Sequence, residues 1–191
     1  MTLAGLLERA ALRHPDAEAV VDGGARLTYA TLDARARSLG RTFARLGVGR
    51  GDRVLIVLKN RLEHVLAYWA LQTIAGVPVP VNFRLAAGEI AYVLADSGAR
   101  LVLFEPATAT AVLEATRDRD VTLIFVGRPD AKLTNRPDIL PFDSLEEPQR
   151  GTGGGGEGGG EEPLTCSPPP VTRETRRWTD ATMDLAHRIR G

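Results

Sequence analysis

The chain has little of what several common classes of protein require. Its 191 residues contain a single cysteine, Cys166, which excludes an internal disulfide and a cysteine-rich metal site. The three histidines, His14, His64 and His187, are too dispersed in sequence to indicate a zinc cluster. Lys and Arg (24) balance Asp and Glu (24), so net charge gives no reason to expect binding to nucleic acid or to an anionic membrane.

Long apolar segments are also missing. No run approaches the roughly 18–20 residues that a membrane-spanning helix needs, and the N-terminus has neither the basic nor the apolar segment of a signal peptide. We therefore expect no membrane span and a cytoplasmic location. With 43% hydrophobic and 25% charged residues, the composition is that of a globular protein of one domain with an appendage.

What the sequence does contain, up to about residue 147, is an alternation of helical and extended patterns. Helices are predicted over Leu3–Ala11, Thr31–Leu46, Leu62–Ala75, Ala86–Leu94 and Ala107–Thr116, a β-hairpin over Ala19–Tyr29, strands over Val54–Leu58, Val77–Val81, Leu101–Phe104 and Val121–Val126, a loop over Arg128–Pro141 and a short last element over Phe142–Leu145. Strands that alternate with helices predict right-handed crossovers. The fold class is therefore α/β, an incomplete three-layer structure with a mainly parallel sheet and helices on both faces.

The pattern stops at about residue 148. A glycine-rich run occupies Gly151–Gly160, and the rest of the chain is rich in Pro, Arg and Thr without a helical or strand period. Glycine runs maximise the entropy lost on ordering. Two regions are therefore predicted, a folded part over 1–147 and a disordered tail over 148–191.

Four stretches of the folded part occur in the order and at the spacing of one enzyme family. Leu27–Leu32 resembles the opening L-T-Y-x-E-L, and Leu46–Val54 resembles the turn L-G-V-x-x-G-D-x-V. Ala70–Leu85 is similar to a stretch ending V-P-L-N-P-R-L, and Glu89–Ala99 is similar to E-I-x-Y-x-L-x-D-S-G-A. Together they make residues 3–147 resemble the N-terminal subdomain of adenylate-forming (AMP-binding) enzymes of the acyl-CoA synthetase type.

The resemblance implies an acid–thiol ligase that uses ATP, Mg²⁺ and coenzyme A on a small carboxylic acid. In that family the phosphate loop, the adenine shelf, the ribose-binding Asp and the catalytic Lys all come later in the chain, and we find no intact copy of them here. We therefore predict no catalytic, cofactor-binding or metal residues in this chain. It is expected to be an inactive fragment of such an enzyme, with a non-catalytic interaction or regulatory module as the alternative.

Several local features resemble functional motifs without their context. Gly47–Gly51 leads from a helix into a strand, whereas phosphate binding needs a strand that leads into a helix, so we interpret it as a turn. Gly127–Thr134 lacks a Gly before its Lys, which favours a surface loop. His64 is interpreted as a capping or surface residue, and Tyr68 and Trp69 as core residues. Without a strand–G-x-G-x-x-G–helix, a dinucleotide enzyme is disfavoured.

The tail suggests a shift of reading frame. If the third base of each codon is joined to the first two bases of the next, the segment 165–178 can encode Leu-Phe-Thr-Ser-Ser-Gly-Asp-Thr-Gly-Asp-Pro-Lys-Val, which resembles the family loop S-G-[ST]-T-G-x-P-K. The hypothesis is that the tail is this loop translated in a shifted frame. The nucleotide sequence tests it, because a stop or the absence of Gly-Asp-Pro-Lys codons in the alternative frame would refute it.

A truncated domain would also leave part of its sheet uncovered. On this view the apolar residues of Leu62–Ala75 and Val121–Val126 are exposed. Chaperone binding or self-association through that surface is the expected consequence.

Overall fold

The structure, a computed structural model, describes residues 3–128, 133, 136 and 138–145. Predictions for the segment 148–191, including the glycine run, the disordered tail and Cys166, lie outside the described residues. Along the described part the elements are α1 (Leu3–Arg13), β1 (Glu18–Asp22), β2 (Ala25–Thr28), α2 (Tyr29–Arg45), β3 (Arg53–Val57), α3 (Leu62–Thr73), β4 (Val77–Pro80), α4 (Ala87–Ser97), β5 (Leu101–Phe104), α5 (Ala109–Ala115), β6 (Thr122–Phe125), β7 (Ile139–Pro141) and a 3₁₀ turn (Phe142–Ser144).

Five of the strands form one sheet in the order β4-β3-β5-β6-β7, and every neighbouring pair in it is parallel. β1 and β2 form a separate antiparallel hairpin. Helices α3, α4 and α5 connect successive strands of the sheet, as expected where parallel neighbours require crossovers. The predicted α/β class with a mainly parallel sheet is confirmed.

The sheet is covered on both faces. Val54 and Ile56 of β3 pack in a cluster with α2 and α3, whereas Leu55 and Val57 of the same strand pack with α4 and α5. This two-sided burial explains why the strands are continuous apolar runs instead of alternating patterns.

The expectation that α3 and β6 expose their apolar residues is wrong. In α3, Leu66 and Leu71 are completely buried against α2 and the sheet, and Ile124 of β6 is equally inaccessible. The reason is that α2 and α3 cover one face and α4 and α5 the other, without help from the rest of a larger domain. Self-association and chaperone binding stay predictions.

Helix α2 shows how local chemistry fixes an element. It begins at Tyr29, earlier than the predicted Thr31, because the Thr28 hydroxyl accepts a hydrogen bond from Thr31 N (3.3 Å) and so caps the helix. It ends at Arg45 with Leu46 as the C-cap residue, and the following Gly47 has a positive φ of 90°, which is common for glycine after a helix.

Strand β4 forms despite its two prolines because it lies at the edge of the sheet. Val77 N donates to Asp52 O (2.8 Å) and Val81 N donates to Ile56 O (3.0 Å), so the odd-numbered residues face β3. Pro78 and Pro80 alternate with them, and their nitrogens face away from β3. The predicted short strand is confirmed, and its outer edge offers no donor at either proline.

The prediction of a loop over Arg128–Pro141 is wrong at its end. Residues Ile139–Pro141 form β7, which pairs in parallel with β6. A three-residue strand that ends in proline is too short to show a period. The short last element is confirmed as the 3₁₀ turn, and Thr42 of α2 donates to Leu145 O (3.0 Å) just after it.

No helix within the described residues is long and apolar enough to cross a membrane.

Candidate functional site

The topology of the sheet has a switch point at its carboxyl edge. β3 leads into α3, which packs on one face, whereas β5 leads into α5, which packs on the other. The chain therefore leaves these two neighbouring strands in opposite directions. In open α/β sheets, ligands bind at this kind of switch point. Six residues that follow strand ends at this edge are called here the carboxyl-edge cluster: Lys59, Arg61, Phe83, Arg84, Glu105 and Thr108.

Glu105 is the buried member of the cluster. It follows β5 and is 6% exposed. Both of its carboxylate oxygens accept hydrogen bonds from the loop that follows β3. Oε1 accepts a hydrogen bond from Lys59 N (2.6 Å), and Oε2 accepts one from Arg61 Nη1 (3.1 Å). A buried carboxylate needs such partners because its transfer from water is costly. Glu105 therefore ties the carboxyl ends of β3 and β5 together.

Arg61 is shared by two carboxylates. Its Nε and Nη2 donate to the two oxygens of Glu63 (2.7 and 2.9 Å), while Nη1 reaches Glu105. The hydrogen bonds to Glu63 are the main reason that the pKa of Arg61 lies above its usual value. The Arg61 charge is thus fully engaged within the protein.

Thr108 completes the connection between the two strands. Its hydroxyl is buried and donates to Val57 O (3.0 Å) at the end of β3, and it accepts from Glu105 N (3.1 Å). One side chain thereby bonds to backbone groups at the ends of both strands, and buried backbone groups need such partners.

Lys59 and Arg84 carry the available positive charge of the cluster. Lys59 Nζ lies 5.6 Å and Arg84 Cζ 5.3 Å from the centre of the Phe83 ring, within the range of cation–π attraction. In the part of the chain that the structure describes, neither side chain pairs with a carboxylate. Both residues are exposed, and Phe83 is half-buried.

The backbone after β6 lies close to the loops that follow β3 and β5. Gly127 has a φ of 110°, and a Cβ there would lie 3.7 Å from Pro106 and 3.9 Å from Arg61 Nη1. Glycine tolerates this φ, which a larger residue rarely adopts. The exposed Arg128 follows it.

The described residues of the carboxyl-edge cluster do not fit a magnesium ion. Mg²⁺ prefers carboxylate oxygens. Both oxygens of Glu105 already accept from Lys59 N and Arg61, and both oxygens of Glu63 accept from Arg61. Among the described residues no group of three or more His, Cys, Asp or Glu could hold a metal.

The motif-like features fall where their context predicted. Gly47–Gly51 lies in the turn between α2 and β3, far from a strand-to-helix junction. Most of Gly127–Thr134 lies outside the described residues. Trp69 is half-buried and packs against the core, as predicted, and it meets Tyr68 edge to face at 5.8 Å. Tyr68 is also half-buried but belongs to neither core cluster, so its interpretation as a core residue is not borne out.

His64 differs from its interpretation as a capping or surface histidine. It is half-buried in the first turn of α3, and the N-cap residue is Arg61. His64 Nδ1 is buried, and no hydrogen-bond partner for it occurs in the described part of the chain.

The carboxyl-edge cluster was not predicted from the sequence. Its signal was nevertheless present, because a polar or charged segment directly follows each of three apolar runs: Lys59–Arg61, Asn82–Arg84 and Glu105. In a parallel sheet such segments share one edge. The pairing of Glu105 with Arg61 across 44 positions of sequence had no signal of its own.

Comparisons with known proteins identify the family. The family model for AMP-binding enzymes matches residues 7–169, so the chain belongs to the AMP-binding enzyme family. It is 35% identical over 131 residues to a feruloyl-CoA synthase of an Amycolatopsis species, which covers 69% of this chain and 26% of that protein. It is also 35% identical over 92 residues to the long-chain-fatty-acid–CoA ligase FadD13 of Mycobacterium tuberculosis, covering 48% of this chain and 18% of the ligase.

Solved structures agree with this placement. A putative long-chain-fatty-acid CoA ligase from Rhodopseudomonas palustris superposes with a TM-score of 0.70 at 31% identity, over 78% of this chain and 37% of that one. A benzoate CoA ligase from Burkholderia xenovorans superposes with a TM-score of 0.66 at 26% identity, over 76% of this chain and 28% of that one. The chain spans 18% to 26% of the length of the curated relatives named above.

Proposed function

We propose that this chain represents the N-terminal subdomain of an ATP-dependent acid–CoA ligase and does not adenylate an acid by itself. The family match over residues 7–169 is the observation that carries the proposal. The chain spans only 18% to 26% of these relatives, which supports the proposal that it does not adenylate an acid by itself.

The reaction proposed for the complete enzyme has two steps. A carboxylate oxygen attacks the α-phosphorus of ATP, the bond to the bridging oxygen breaks, and pyrophosphate leaves. The sulfur of coenzyme A then attacks the acyl carbonyl and releases AMP. Both steps need groups that stabilise a developing negative charge, usually the largest single contribution to catalysis.

The substrate class proposed is a small carboxylic acid, in a cytoplasmic enzyme. Relatives are named for long-chain fatty acids, for ferulate and for 3-hydroxybenzoate. Their names all combine a carboxylic acid with coenzyme A, but the acyl groups differ. A role in fatty acid metabolism is therefore one of several that this chemistry allows.

The described part of the chain explains why adenylation is not expected from it. Transfer of phosphorus groups needs a cationic clamp, normally Lys with Mg²⁺, on the departing phosphates. The loop at the carboxyl end of β3 has Lys59 and Arg61, but the carboxylates beside it, those of Glu63 and Glu105, are already occupied by protein donors.

We expect no acid-dependent ATP–pyrophosphate exchange from the purified chain. The measurement is the appearance of label in ATP after incubation with Mg²⁺, labelled pyrophosphate and a panel of short to long fatty and aryl acids. A complete acid–CoA ligase assayed in parallel gives the positive control. Acid-dependent labelling above the no-acid blank would refute the proposal that the chain lacks an adenylation site.

A further inference from the structure

We infer that both outer edges of the five-stranded sheet are closed to a further β-strand, and that Pro78 and Pro80 keep a second copy of this chain from pairing with β4. The partner that is excluded is an extended segment that would add to the sheet through backbone hydrogen bonds. The inference concerns association of the chain and does not depend on adenylation or on ligand binding.

The two edge strands need protection because of their composition. β4 has the sequence Val-Pro-Val-Pro and β7 has the sequence Ile-Leu-Pro, so neither strand carries a charged residue. The side chain of Val77 in β4 is also exposed. An uncharged, apolar edge strand is a template for pairing with another chain, and proline at the edge is one of the features that prevent this pairing.

On β4 no backbone N–H is available on the outer side of the strand. The odd-numbered residues face β3, so the outward positions are Gly76, Pro78 and Pro80. Gly76 N already donates to Leu71 O (2.9 Å), and the prolines have no N–H. A second strand could therefore donate to the proline carbonyls but would receive no hydrogen bond in return. Such a ladder loses about half of its hydrogen bonds and leaves carbonyls of the second strand without partners.

On β7 the outer side is closed by local hydrogen bonds as well as by proline. Ile139 N donates to Arg136 O (3.3 Å), in the segment that precedes the strand. Pro141 has no N–H, and its carbonyl accepts a hydrogen bond from Ser144 Oγ (2.7 Å). Leu140 is the residue that is left to donate in the parallel pairing with β6. Within the described strands, neither edge of the sheet offers an outward N–H.

The test is sedimentation velocity of the full 191-residue chain over a series of concentrations, with the wild type compared with the double variant Pro78→Thr and Pro80→Thr. Threonine restores an N–H at each outward position and favours a strand. We expect the double variant to self-associate at a concentration at least about tenfold lower than the wild type, because each restored N–H adds a hydrogen bond between strands. The amides of residues 78 and 80 should be protected from hydrogen exchange only where the variant associates.

The matched control is the double variant Pro15→Thr and Pro106→Thr, which replaces two exposed prolines outside the strands. It changes the composition and the freedom of the unfolded chain in the same way, so its self-association should stay within about twofold of the wild type. Circular dichroism verifies that each variant is folded. Pro80→Thr alone, at an exposed position, restores one N–H and should associate more readily than the wild type even if the double variant does not fold. A folded β4 variant that associates no more readily than the wild type, or an equal increase in the control, would overturn the inference.

Discussion

Replacing Gly40 by alanine is expected to destabilise the fold by about 1–3 kcal/mol, although alanine is the better helix former. Gly40 lies in α2 where that helix meets α3. A Cβ there would collide with Thr73 Oγ1 and would lie 2.8 Å from the carbonyl oxygen of Ala70 and 3.3 Å from Ile74 Cγ2. The Thr73 hydroxyl is hydrogen-bonded to that same carbonyl (2.7 Å), so rotating it away would break the bond and leave the carbonyl in place.

The only relief available is for the two helices to move apart, and this would disturb the packing that covers one face of the sheet. Ala36, Ala67 and Ala70 are completely buried in the same cluster, so the helices approach closely along a stretch of small residues. Protein interiors are closely packed, so this interface can accept an added methyl group only if the backbone shifts.

Gly88→Ala provides the matched control. Gly88 is also in a helix, α4, but a Cβ there would meet nothing within 4 Å. The same substitution should therefore stabilise the fold by up to about 1 kcal/mol through helix propensity alone. Urea unfolding gives both free energies by linear extrapolation. Equal effects of the two substitutions would contradict the close approach of α2 and α3.

The contrast between these two glycines shows what sequence patterns can and cannot predict. Periodicity predicted α2 and the buried strands β3 and β5, because each is long or apolar enough to show its period. It missed β7, whose three residues carry no period. It could not distinguish Gly40 from Gly88, since what separates them is how near a second helix lies.

The candidate site follows the same division. The strand ends that carry Lys59, Phe83 and Glu105 follow apolar runs that were predicted from sequence, so the edge that they share could have been inferred. The pairing of the charges could not be inferred from the sequence, because Arg61 has several acidic residues at different distances along the chain. The choice depends on a crossover that places β5 beside β3.

Glu105→Gln is expected to lower the free energy of unfolding by about 2–3 kcal/mol. Glutamine has one acceptor oxygen where the carboxylate has two. If that oxygen keeps the hydrogen bond from Lys59 N, the amide nitrogen faces Arg61 Nη1, and a donor is buried against a donor. If the amide is reversed, Lys59 N loses its acceptor instead.

Glu63→Gln is the control, because Glu63 binds the same arginine with a side chain that is 22% exposed, against 8% for Glu105. Glu63→Gln should lower the free energy of unfolding by less than about 1 kcal/mol, because water can reach the groups left without a partner. A double-mutant cycle with Arg61→Met separates the two pairs. The coupling of Arg61 to Glu105 should reach at least about 1 kcal/mol and exceed its coupling to Glu63. The reverse order would mean that the exposed pair, and not the buried one, holds the loop after β3 against β5.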